Sequence, residues 1–173
     1  GKVDIGYGDV SVRAMATIFK KIKFETHENI GSGPIHLPEV ELHTSSAWIS
    51  LDAELSTLKD ERLEQGLIGT AQALKHIIPL FVMCDPQDVH VIPQVKASHN
   101  EKPTIFFYDR YPGGIGLSEK VFHGIKEIME ETKDMVENCQ CQSGCPSCIG
   151  TDTFSEKAKI DVIRMINSFL EGK

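Results

Sequence analysis

The sequence is poor in the features that mark several protein classes. Its longest apolar runs, Ile77 to Met83 and Ile105 to Tyr108, fall well short of the ~18–20 residues that span a bilayer, and no secretory leader pattern opens the chain. Positive charge is not in excess either: 18 Lys and Arg face 25 Asp and Glu, for a net charge of −7. Acidic residues outnumber basic ones in residues 1–50, 51–100 and 101–173 alike. A protein that wraps nucleic acid unaided concentrates cations on one face, so any such contact here has to be local or shared. No low-complexity or repeated tract is present, which excludes collagen, long disordered tails and repeat arrays. No G-x-x-x-x-G-K-[ST] loop occurs, so the chain has no phosphate loop with which to hydrolyse ATP. The expectation is a soluble, cytoplasmic, folded protein with no membrane partner. At 173 residues it can bury about 70% of its unfolded surface without disulfides. No Met precedes Val3 and the opening residues already read as strand, so a piece of a longer protein is expected.

What the sequence does have is a cluster of cysteines. Four of its five fall in the run Cys139-Gln140-Cys141-Gln142-Ser143-Gly144-Cys145-Pro146-Ser147-Cys148, spaced C-x-C-x3-C-x2-C. Disulfides gain most by closing long loops, and these pairs close very short ones. A metal explains the run better, because its small polar residues cannot build a core. Zinc takes four thiolates tetrahedrally at about 2.3 Å, and a closed four-cysteine shell is the structural type. An iron–sulfur cluster uses the same ligands, and a redox dithiol at Cys145 and Cys148 is a further alternative. Within Cys145-Pro146-Ser147-Cys148, proline at the second turn position fixes φ, and the following amides are expected to point back at the first sulfur. Cys84, isolated in Phe81-Val82-Met83-Cys84-Asp85, reads as a small buried hydrophobe.

Periodicity organises the rest. Alternation from Val10 to Ile18 predicts a strand, and Ile22, Phe24 and Thr26 a second one after the Lys20-Lys21 break. His27 to Pro38, with Gly31, Gly33, Pro34 and Pro38, reads as loop. Val40, Leu42 and Thr44 restart the alternation towards Trp48, which is read as a packing residue, with a base-stacking platform as the alternative. From Asp52 a helical stripe runs through Leu55, Leu58, Leu63, Leu67, Ala71, Leu74 and Ile78, and Pro79 is expected to end it. Gly66 and Gly69 in its middle suggest close approach of another element. Val89 to Pro93 and Thr104 to Tyr108 read as strands, the latter buried on both faces. Leu117, Val121, Ile125, Ile128 and Met135 mark a helix ending near Asn138, and a last helix is expected from an N-cap at Ser155. The fold class is therefore α+β in one unit of residues 1–173. Residues 1–50 are β-rich, residues 51–173 hold the helices, and a structural four-cysteine zinc loop lies between the last two helices.

Three further features carry possible chemistry. Tyr108-Asp109-Arg110-Tyr111-Pro112-Gly113-Gly114-Ile115-Gly116-Leu117 joins a strand to a helix through a glycine-rich turn, an arrangement that can cradle phosphate. No lysine follows its glycines, however, and Asp109 would repel phosphate, so a tight turn with close helix packing is expected; Arg110 is the side chain to test for a DNA contact. Lys20, Lys21 and Lys23 form the densest cationic spot, read as a solvated strand face or a local nucleic-acid contact. His27, His36 and His43, among Glu25, Glu28, Glu39 and Glu41, could converge on a second metal or acid–base site. No autonomous catalytic constellation emerges from spacing, so the chain by itself is not expected to be an enzyme.

Taken jointly, Tyr108-Asp109, Pro112-Gly113-Gly114-Ile115-Gly116-Leu117 and the Cys139, Cys141, Cys145, Cys148 run resemble the C-terminal zinc-binding domain of helicases of the mitomycin repair factor A type. Lys20 to Asn29 and Glu41 to Thr44 look similar to the same family, so the resemblance covers nearly the whole chain. It implies a superfamily 2, ATP-dependent, 3′-to-5′ DNA-repair helicase as the parent. Its motor and winged-helix domains would be the partners and would lie outside this chain, and ATP and Mg²⁺ would belong to the motor. It also implies one structural Zn²⁺ on Cys139, Cys141, Cys145 and Cys148. A protein-interaction module without nucleic-acid contact is the competing reading, favoured by the acidic balance.

Overall fold

The computed structural model describes residues 3–51, 61–150 and 157–172. The elements run in the order β1 (Val3–Ala14), β2 (Ile18–Ile22), β3 (Asn29–Pro34), β4 (Val40–Leu51), α1 (Glu61–Val82), β5 (Val89–Gln94), β6 (Thr104–Asp109), α2 (Leu117–Asn138) and α3 (Ala158–Glu171). The architecture is α+β, with a β-rich N-terminal part of four strands, β5 and β6 between α1 and α2, and α2, the cysteine run and α3 in the C-terminal part. The main sheet has the order β1-β4-β6-β5 and is antiparallel throughout; β2 and β3 form a separate two-stranded ribbon. The start of the predicted helical stripe, from Asp52 through Leu55 and Leu58, and the N-cap at Ser155 lie outside the described residues.

The period-2 alternation places two different surfaces on the sheet. Ala47, Ile49 and Leu51 of β4, Ile105 and Phe107 of β6, and Val89 and Val91 of β5 join a core with the apolar stripes of all three helices. From α1 come Leu67, Leu74 and Ile78, from α2 Val121, Ile125 and Ile128, and from α3 Val162, Ile166 and Phe169. As expected, β6 is buried on both faces, since it is central and only Phe106 is partly exposed. Trp48 points the other way. It is half-buried on the face opposite the helices, its ring resting on Gly6 of β1. The helix packing tightens where Gly124 meets Phe81, since a Cβ there would lie 2.3 Å from the Phe81 ring. Gly66 and Gly69 are both buried, and the Thr70 hydroxyl donates to the Gly66 carbonyl.

Three expectations need correction. The first strand begins at Val3 and ends at Ala14, so the second covers Ile18–Ile22, and the Lys20-Lys21 pair lies within it rather than before it. The stretch read as loop from His27 to Pro38 contains β3. Its glycines do not break the strand because Gly31 and Gly33 stand opposite Lys21 and Phe19, leaving room for the Phe19 ring over Gly33. Pro79 does not end α1, which continues to Val82. The bond it forfeits is to the carbonyl of Lys75, on the exposed side, and one turn from the helix end that loss is small.

The glycine-rich turn after β6 is closed from within. The Asp109 carboxylate, fully buried, accepts hydrogen bonds from the amides of Ile115 (2.7 Å), Leu117 (3.1 Å) and Ser118 (2.7 Å). Asp109 thus fills the positive N-terminus of α2 that could otherwise take a phosphate. Gly114, at φ +74°, sits so close to β4 that a Cβ would be 2.1 Å from Ser45 Oγ, and the Gly113 amide donates to the His43 carbonyl. Asp109→Ala removes three charge-assisted bonds and leaves buried amides unmatched, at a cost of about 2 kcal/mol. A thermal melt followed by circular dichroism should fall by about 4–8 °C, with Asp109→Asn losing less because one carbonyl acceptor remains.

Candidate metal centre

Helix α2 ends at Asn138, and the Cys139 amide closes it by donating to the Val136 carbonyl. The chain then coils through a knuckle. In Cys145-Pro146-Ser147-Cys148 the Cys148 amide donates to the Cys145 carbonyl at 3.0 Å, the β-turn that proline at its second position favours. The Gly150 amide donates to that same carbonyl. The sulfur-directed amide runs opposite to expectation. Cys145 N–H points to Cys148 Sγ at 3.3 Å, so the last sulfur of the turn receives it rather than the first.

This winding brings the four predicted cysteines together. Their sulfurs lie within 4.8 Å of one another, with Cys139 to Cys145 at 3.6 Å and Cys148 at 3.5 Å from both Cys141 and Cys145. All are free thiols. Four ligands at about 2.3 Å around a tetrahedral ion are separated by about 3.8 Å, so the donor set fits zinc in number, softness and spacing. Cys148 is fully buried beside Ile149 in the core, while the other three are half-buried at its margin.

Without a cation these groups compete. Burial pushes the Cys148 thiol up to about 12 and raises that of Cys141, whereas the Cys141 amide and neighbouring thiols draw Cys139 down to about 7. Four thiolates in so small a space require a cation to balance them, and binding one expels the protons that remain. Lys159 at the start of α3 donates to the carbonyls of Cys139, in a short contact, and of Cys141 at 3.3 Å. The knuckle therefore touches α2 by sequence, α3 through Lys159, and α1 through Gln72, whose side chain faces Gly150. A second tie joins α1 to α3: the Arg62 guanidinium donates to the buried Asp161 carboxylate from Nε, at 2.9 Å to Oδ2, and from Nη2 to Oδ1. Neither Lys159 nor Asp161 carries a sequence signal, because their partners are 18 to 99 residues away.

The remaining candidates stay apart. Lys20 and Lys21 are exposed on β2, Lys23 begins the turn after it, and Arg110 is exposed just past β6. Lys21 lies over the Phe19 ring, 6.0 Å from its centroid. His27 is at the ribbon tip, His36 in the following loop, and His43 on β4 beside Glu41 at 3.7 Å. Among the described residues the four cysteines form the one group able to hold a metal, so the histidines do not converge on a second site. Cys84 is half-buried against the core rather than within it, and burial, with Asp88 and Asp85 nearby, raises its thiol.

Comparison with known proteins bears on this site. The family described as the MrfA Zn-binding domain matches residues 70–149. The chain is 51% identical over 166 residues to the ATP-dependent helicase YprA of Bacillus subtilis (strain 168), covering 96% of this chain and 22% of that one. It is 30% identical to protein MJ1572.1 of Methanocaldococcus jannaschii, covering 54% of this chain and 90% of the relative. A crystal structure of the DUF1998 helicase MrfA bound to DNA superposes with a TM-score of 0.81 at 51% identity, over 96% of this chain and 22% of that one. The same helicase bound to DNA and AMPPNP gives 0.69 at 48% identity, over 95% and 22%. The chain thus spans about a fifth of the helicases it matches. Elemental analysis of purified protein should give one zinc per chain, and Cys145→Ser should abolish it and melt the knuckle. Because protons compete for the thiolates, acidification from about pH 7 to pH 5 should release the metal in a zinc-indicator assay, and neutralisation should restore it.

Proposed function

The chain belongs to the MrfA zinc-binding domain family, and from that membership we propose that it is a non-catalytic accessory module of a larger ATP-dependent DNA-repair helicase working in the cytoplasm. The observation that carries the proposal is the knuckle of Cys139, Cys141, Cys145 and Cys148, whose four sulfurs lie within 4.8 Å between α2 and α3. One zinc ion there supplies positive charge and fixed tetrahedral directions. The protein's own residues do the rest. Cys139 fixes the end of α2, Cys148 anchors the loop in the core, and Lys159 draws in the start of α3. The packed helices then offer a rigid face to the parent's motor and winged-helix domains.

In this reading residues 1–173 act as one unit cut from the longer chain. ATP and Mg²⁺ are handled elsewhere, consistent with the missing phosphate loop. DNA contact is local, through Lys20, Lys21 and Lys23 on the ribbon and Arg110 beside the capped turn, so that the module helps hold the translocated strand. A redox role for Cys145 and Cys148 fits less well, since both belong to the four-sulfur set. A protein-interaction module draws support from one observation: Ile18, Ile22 and Phe24 on the ribbon are 66%, 59% and 93% exposed.

Fluorescence anisotropy of the zinc-loaded chain with labelled single-stranded DNA separates the two. The helicase-accessory reading expects salt-dependent binding, with Lys21→Ala and Lys23→Ala each lowering the log–log salt slope by about 0.7. Undetectable binding at about 50 mM salt would favour the protein-interaction reading.

A further inference from the structure

The face of the main sheet turned away from the helices holds a groove of about 650 Å³ running from β1 across to β5, within the range of roughly 300–1,000 Å³ typical of ligand sites. Its floor is aromatic. Trp48, Phe106 and His99 form a triangle, with ring centroids 6.3 Å apart for Trp48–Phe106, 5.6 Å for Trp48–His99 and 5.7 Å for His99–Phe106. His99 is exposed, Trp48 and Phe106 half-buried, and none of them belongs to the helix-side core. Hydrogen-bonding side chains interleave with the rings: Ser11 on one wall, Gln94 and Ser98 on the other.

We propose that this groove is a stacking site for unpaired bases of a nucleic-acid single strand; the proposal rests on the DNA-contact reading given above and deepens it. Aromatic rings on an open antiparallel sheet bind successive bases without sequence preference, because every base has a π-face. Charge fixes which side of the strand faces inward. Asp9 in the lining repels phosphate, so the bases enter and the backbone stays outside. The one cation in the lining is Arg13. It borders the groove near the end of β1, where its Nε lies 3.4 Å from a Glu41 carboxylate oxygen, and β1 is followed in the chain by the ribbon bearing Lys20, Lys21 and Lys23.

The experiment uses the zinc-loaded chain and a single-stranded oligothymidylate of about 15 nucleotides. Trp48 is the only tryptophan, so its emission reports on the groove directly. Anisotropy should rise while Trp48 emission is quenched. His99→Ala and Phe106→Leu should each weaken binding by about tenfold, with zinc content and melting temperature of the exposed-site variant His99→Ala unchanged. Lys21→Ala should keep the full quench at saturation. The groove assignment is overturned if binding is Lys21-dependent yet Trp48 emission does not change and His99→Ala binds like wild type; DNA contact by the ribbon then stands alone. Absence of any anisotropy change at about 50 mM salt overturns both the groove and the DNA-contact reading.

Discussion

Four sulfur atoms sharing one small volume are the constraint around which the C-terminal half is arranged. Thiols so close cannot all ionise unless a cation stands among them, and burial makes the cost greatest at Cys148. The residues between them offer no alternative source of order: Gln140 and Gln142 are exposed, and Ser143 and Gly144 have little apolar surface to bury. The knuckle is nevertheless seated on all three helices, through Cys139, Gln72 and Lys159. Ordering the backbone from Cys139 to Cys148 thereby becomes a question of ligand chemistry rather than of hydrophobic area.

Strand β4 relates this half to the other. It is hydrogen-bonded to β1 on one side and β6 on the other, so it is an interior strand with no free edge. Its alternate residues serve two purposes. Ala47, Ile49 and Leu51 pack under the helices, while Trp48 lies with Phe106 and His99 on the opposite face. The ribbon β2–β3 is an excursion between β1 and β4, and a two-stranded ribbon alone is marginal in water. Its Ile18, Ile22 and Phe24 are exposed, so the ribbon buries little apolar surface of its own.

Much of this was readable from residue spacing, and the limits have physical causes. The 22 residues of α2 were legible because Leu117, Val121, Ile125 and Ile128 repeat at the helical period without interruption. The cysteine cluster was legible because its ligands are consecutive in sequence. Strand β3 was not, since Gly31, Gly33 and Pro34 signal a loop unless the partner strand is known; pairing with Lys21 and Phe19 overrides that local preference. Pro79 misled for a related reason, its cost being set by which carbonyl it orphans. The Arg62–Asp161 pair and Lys159 were invisible because contacts over long sequence separations exist only after folding.

The buried carboxylate of Asp109 has a consequence for what the turn after β6 can bind. The turn after β6 has the outline of a phosphate receptor, but the protein supplies its own anion and occupies the receptor permanently. Free phosphate and nucleotide find no vacancy there, whatever their concentration. The shape of the turn is thereby set by the chain's own carboxylate and owes nothing to a bound ligand.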